Sequence, residues 1–189
     1  MPLSSGCELL LVASCLWAAT RSRQQGCAWA MTGLLLMGTA ALLGALRYAG
    51  FETVTPWHQA ASQLSGRLGL LLIAVGGLQR SAGRLWLLGA ALLLWWLPDN
   101  LALLGNLLAL LAIAWRGRSR HWPLAIAGSL LFPLAGLLVG TRGTWAGVAR
   151  LDLFHLLLAL AVLCWGLAGL HAGSRPDATD QPGNPASAS

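Results

Sequence analysis

Lysine is absent from the chain; each of its 12 basic residues is an arginine. Acids are scarcer still, with six in 189 residues. Charged side chains make up 10% of the sequence, where a soluble domain carries about 25%. That shortage excludes an ordinary water-soluble globule. No two cysteines form a CxxC pair: Cys7, Cys15, Cys27 and Cys164 are scattered, three of them in or beside apolar runs. They read as small packing residues, without a disulfide framework or zinc knuckle. Nucleophile elbows, glycine-rich phosphate loops and HExxH are missing too. The net charge of +6 would suggest nucleic acid in a soluble protein. Here the arginines stand between apolar segments, where they orient helices, and a nucleic-acid partner is set aside.

What is present in abundance is apolar surface: 57% of the residues are hydrophobic and the mean hydropathy is +0.67. Spread along nearly the whole length, that excess indicates a multi-span membrane protein whose principal partner is the lipid bilayer, with other membrane proteins as further partners. Apolar segments bounded by charge or turn residues fall at approximately 4–20, 26–46, 60–78, 85–97, 101–115, 122–140 and 151–170. Pro98-Asp99-Asn100 separates the fourth from the fifth and supplies an N-cap. A single helix from Leu85 to Trp115 would be about 46 Å long, so two short crossings fit better. The first segment is expected to be a spanning helix rather than a signal peptide, because its basic residues, Arg21 and Arg23, follow the apolar run.

Seven crossings put Arg21, Arg23, Arg80, Arg84, Arg116, Arg118, Arg120 and Arg175 on the cytoplasmic side and Arg47, Arg67, Arg142 and Arg150 outside. This bias follows the positive-inside rule. The expected fold is therefore an all-α polytopic transmembrane bundle of about seven helices over residues 1–172, in a bacterial inner membrane. Its N-terminus is outside and its C-terminus cytoplasmic. Residues 173–189, rich in Pro, Gly, Ser and Asp, read as a disordered cytoplasmic tail. Trp57, Trp95, Trp96, Trp115, Trp122 and Trp145 near segment ends form an aromatic belt. Gly136 and Gly140 make a GxxxG that would let the sixth segment approach a neighbour.

In this topology the four acids outside the tail, Glu8, Glu52, Asp99 and Asp152, share the outer side. Arg150, Asp152 and His155 open the last apolar run, RLDLFHLLLALAVLCWGLAGLH. Asp152 suits a helix N-terminus and Asp99 a cap, as structural roles would require. Glu8 has no such excuse in its apolar context. Asp152 and His155 are three apart and share a face that continues through Ala159, Val162, Gly166 and Gly169. His155 is thus expected to point into the bundle, where a carboxylate could orient it as a base or metal ligand. Haem between histidines at matching depths is less favoured. His155 and His171 lie about 160° apart around their helix.

Two stretches, Ala41-Leu-Leu-Gly-Ala-Leu-Arg-Tyr-Ala-Gly-Phe51 and Leu151-Asp-Leu-Phe-His-Leu-Leu-Leu158, together with the helix count, resemble the CREST superfamily of alkaline ceramidase and adiponectin- and progestin-receptor-like membrane proteins. The resemblance implies seven helices and a zinc site near one membrane face, with ligands from the end of the second helix and the start of the seventh. Where a second-helix histidine would fall stand Tyr48, Ala49 and Gly50, and the second histidine of an HxxxH pair is replaced by Ala159. His155 is the one histidine matched, with His58 as a substitute from the connecting loop.

Three functions remain in view. The first is a structural, assembly or sensing role built around the polar cluster at the outer leaflet. The second is a membrane-embedded, metal-dependent hydrolase of a lipid or amide. It would use His155, Asp152 and Glu8 as catalytic groups and His155, His58 and Asp99 as ligands of a zinc cofactor. The third is a small proton-coupled transporter using Glu8 or Asp152.

Overall fold

The computed structural model describes residues 2–76, 89, 99–116 and 121–169. The fourth apolar segment, the tail and the side chain of Asp99 lie outside the described residues. Helix α1 (Pro2–Gln24) ends with Arg21 and Arg23 in its last turn, where cations meet the negative end of the helix dipole. After a turn at Gly26, α2 (Ala28–Tyr48) runs back. A 3₁₀ turn (Glu52–Val54) leads into α3 (Thr55–Leu64), which carries Pro56 in its first turn, a residue suited to a helix start because its missing N–H would be unbonded there. This start lies before residue 60, so His58 sits near the beginning of a helix and not in a connecting loop. Through a π-helical turn (Ser65–Gly69), α3 continues into α4 (Leu70–Val75) as one rod.

Helix α5 spans Asp99–Arg116 and α6 spans Trp122–Pro133, the latter prolonged by a π-helical turn over Leu134–Val139. Pro133 lacks the N–H that a regular helix would use at this point, which accounts for the change of winding just beyond it. A two-stranded hairpin follows, pairing Thr144 with Ala149 and Trp145 with Val148. Positive φ at Ala146 (51°) and Gly147 (82°) gives its tight turn the twist of the strands. Helix α7 (Arg150–Ala168) closes the described chain and stops at Gly169 in the left-handed conformation.

Among the described residues, four helices are long and apolar enough to cross a membrane: Leu3–Gln24, Ala28–Tyr48, Trp122–Val139 and Arg150–Ala168. Many of their leucines, among them Leu9, Leu16, Leu130, Leu137 and Leu160, face outward, as a lipid-facing surface requires. Trp57, Trp115, Trp122 and Trp145 are exposed near helix ends, the expected station for interfacial aromatics.

Small residues set the helix contacts. A Cβ on Gly33 would come within 2.6 Å of the Gly69 carbonyl, and one on Gly128 within 2.7 Å of the Trp165 ring. A Cβ on Gly166 would collide with Trp17. Phe132 stacks on Trp165 at 5.6 Å, and the Trp165 indole N–H donates to the Ser129 hydroxyl at 3.4 Å. By contrast, Gly136 and Gly140 face open space among the described residues, so their GxxxG makes no close approach within the chain.

The α1–α7 pair is parallel: Glu8 meets His155 near the two N-terminal ends, while Trp17 packs at Gly166 farther down. In α1–α2 the order reverses, with Gly44 at Glu8 and Gly38 at Cys15. Gly128→Ala is expected to lower stability by about 1–3 kcal/mol through overpacking. Gly136→Ala should be neutral or gain about 0.5–1 kcal/mol from the lower entropy of the unfolded helix. Reversible unfolding in mixed micelles measures both; equal losses would contradict the packing described here.

Candidate functional site

The centre forms where three helices bring polar side chains to one end of the bundle and a fourth makes room for them. Glu8 lies two turns into α1, between Cys7 and Leu9, and only 1% of it is exposed. Nothing in α1 neutralises it. Its nearest polar neighbour comes from the far end of the sequence: His155 Nε2 of α7 lies 3.3 Å from Glu8 Oε1. The separation is that of an ion pair, but the two groups are not aligned as a hydrogen bond. The sequence had suggested Asp152, three residues away, as the carboxylate beside His155. Asp152 is buried, 3% exposed, and close enough to Glu8, Tyr48 and His155 to interact electrostatically. The group in contact with the imidazole is Glu8.

Helix α2 makes this possible. A side chain on Gly44 would run into the Glu8 carboxylate and come within 3.1 Å of His58 Cε1. Gly44 therefore creates the space in which an acid from α1 and an imidazole from α3 approach each other. The Ala40 carbonyl, one turn earlier, accepts a hydrogen bond from His58 Nδ1 at 3.1 Å. A carbonyl only accepts, so Nδ1 carries the proton, and in the neutral ring Nε2 is an acceptor. These small residues were not singled out from sequence, although the four-residue spacing of Ala40, Gly44 and Tyr48 marks one helix face.

Glu8, His58 and His155 share a cavity of about 190 Å³. Its walls are apolar, from Leu11, Met37, Leu70, Phe132, Phe154 and Leu158, and Ser62 and Ser65 add hydroxyls from the rod. The π-helical turn begins at Ser65, and its Gly66 carbonyl accepts a bond from the Asn106 amide at 2.8 Å. Such turns release backbone groups from the regular pattern and are frequent at functional sites. Phe154 stands edge-on to the His155 ring at 5.2 Å.

Several buried polar atoms in this region have no hydrogen-bond partner: both oxygens of Glu8, Oδ1 of Asp152, Nδ1 of His155 and Nε of Arg150. Native interiors leave few such groups, and each costs about 1–3 kcal/mol. The Arg150 guanidinium lies over the Trp145 ring at 5.8 Å, at the rim. Glu52 is exposed and takes a hydrogen bond from Thr55, outside the cavity. Asp99 opens α5, and its side chain lies outside the described residues.

Zinc was the cofactor implied by the sequence resemblance. Among the described residues, no three His, Cys, Asp or Glu side chains are arranged to hold a metal ion. His58 and His155 do line the same cavity, but together with Glu8 they do not form a metal-binding set, and no step is derived through zinc.

These features define a class: a multi-pass helical membrane protein with a polar centre buried at one end of its bundle. Comparison with family models, with characterised proteins and with solved structures finds no match.

If the centre were structural glue, Glu8→Gln would break a buried ion pair and cost about 3–5 kcal/mol. The unpartnered oxygens give the opposite expectation. Removing the charge should leave stability within about 1 kcal/mol of the parent or raise it, since polar groups retained for function are commonly held at a cost in stability. Unfolding of the variant in mixed micelles decides between the two.

Proposed function

We propose that the chain is a multi-pass protein of a bacterial inner membrane with a sensing role, and that the Glu8–His155–His58 centre is its receptive element, at the outer face. One observation carries this reading. A fully buried carboxylate, with neither oxygen hydrogen-bonded, lines a cavity shared with two imidazoles. A cluster that served only to join helices would spend those oxygens on partners within the fold.

The orientation follows from the arginines, with the N-terminus outside and the C-terminus cytoplasmic. Parallel α1 and α7 support an odd number of crossings, as the seven-span reading requires. The start of α6 meets the end of α5, the Trp122 indole donating to the Ala114 carbonyl at 3.2 Å. Transport is less well supported. The cavity at the other end of the described bundle, between Arg21, Ser22, Ile73 and Trp165, measures only about 10 Å³, barely room for one water. Buried Cys15, Leu34 and Val162 fill the interior between the two ends.

A second reading, a membrane-embedded hydrolase of a lipid or amide, is favoured by the Glu8–His155 contact inside an apolar-walled cavity. There a carboxylate or imidazole could take a proton from water attacking a carbonyl. Asp152 would act through electrostatics, since it is not the group touching His155.

A fluorescent reporter fused to the C-terminus is expected to be active in the cytoplasm, and an alkaline phosphatase fusion at the same place to be inactive. The reverse pattern would overturn the orientation. With the four native cysteines replaced, Ser65→Cys should react with an impermeant thiol reagent added outside intact cells. Reaction only in inverted vesicles would place the cavity on the wrong side for outer-face sensing.

A further inference from the structure

We infer that the cavity is a binding site for a small organic cation, an alkylammonium group carried on a short apolar stem. The inference rests on the reading of the centre as receptive, and it names the class of ligand.

Its basis is the hydrogen-bonding character of the lining. Glu8 offers two buried oxygens without hydrogen-bond partners, which can only accept when ionised. His58 has committed its protonated nitrogen, Nδ1, to the Ala40 carbonyl, leaving Nε2 as an acceptor in the neutral ring. Ser62 and Ser65 can turn their hydroxyls to accept. His155 lies with its Nε2 3.3 Å from Glu8 Oε1. A lining so rich in acceptors suits a ligand that donates several hydrogen bonds, and an ammonium carries three.

Charge points the same way. Glu8 and Asp152 are both buried within electrostatic reach of each other. A buried carboxylate is stable as an ion only beside a cation, and two such acids gain from one placed between Glu8 and the cavity. A metal ion would supply that charge, but the described residues do not form a donor set for one. An alkylammonium needs no metal-type coordination shell, because its contacts are directional hydrogen bonds from its three N–H groups. Phe132 and Phe154 add aromatic rings to the wall. The remaining wall, from Leu11, Met37, Leu70 and Leu158, would enclose a few methylenes in a volume of about 190 Å³.

The full-length protein in lipid nanodiscs can be titrated calorimetrically with n-butylammonium, with n-butanol and butyrate as neutral and anionic probes of the same length, and with zinc. Saturable binding of butylammonium alone is expected. Glu8→Gln should weaken it by on the order of 30-fold or more, the effect of removing one partner of a desolvated charge pair. Ala41→Leu, which adds bulk to the cavity wall and leaves the Glu8 carboxylate in place, should abolish it even if Glu8→Gln fails to fold. Butyrate, butanol or zinc binding as well as or better than butylammonium overturns the cationic class. If such binding is lost in Ala41→Leu, the receptive centre itself stands. Butylammonium binding that survives both variants overturns the site. No binding by any of the four probes overturns the inference and removes the support for a receptive centre.

Discussion

A carboxylate two turns inside an apolar helix must find company or stay uncharged, and the upper half of this bundle is arranged around that requirement. Glu8 sits where α1, α2, α3 and α7 meet. Gly44 supplies the room, the Ala40 carbonyl fixes the neighbouring imidazole, and the start of α7 delivers His155. The first and last described helices meet there at their N-terminal ends as parallel neighbours. Farther down, contact is mainly steric, with Trp17 over Gly166 and Trp165 against Gly128, where its indole N–H also reaches Ser129. Burying an ionisable group in this way is expensive in a membrane interior, where such residues mark function more often than stability.

The two ends of the interior are chemically unlike. Among the described residues, one holds acids, imidazoles and a cavity of about 190 Å³, while the space between Arg21, Ile73 and Trp165 at the other measures only about 10 Å³. The π-helical turns follow the same pattern. One starts at Ser65 in the cavity wall, and the other begins just after Phe132 and Pro133, also beside it. Irregular winding is thus found close to the polar centre, where side chains need placements a regular helix would not give.

Much of the architecture was legible in the sequence, because membrane helices announce themselves by length and apolarity. Four long helices fall on expected segments, and Glu8, Asp152 and His155 stood out as polar groups against an apolar background. Partnership was not legible. Helical spacing pairs Asp152 with His155, since periodicity sees only residues on one helix; the contact between positions 8 and 155 depends on which helices pack together. The role of Gly44 was hidden for the same reason, one glycine among 23. His58 was misplaced into a loop because the polar start of α3 carries little hydropathy signal, although Thr55-Pro56 is a reasonable helix start. The GxxxG at Gly136 shows the converse error, a motif whose spacing is right and whose face meets no helix among the described residues.

The account stands on the pairing of Glu8 with His155 across the first and last helices. A double-mutant cycle of Glu8→Gln and His155→Leu, read from unfolding free energies in mixed micelles, measures that pairing directly. Groups in contact show coupling of about 0.5–3 kcal/mol, and a value in that range is the expected result. Strict additivity of the two substitutions would mean that they do not meet, and the centre described here would not exist.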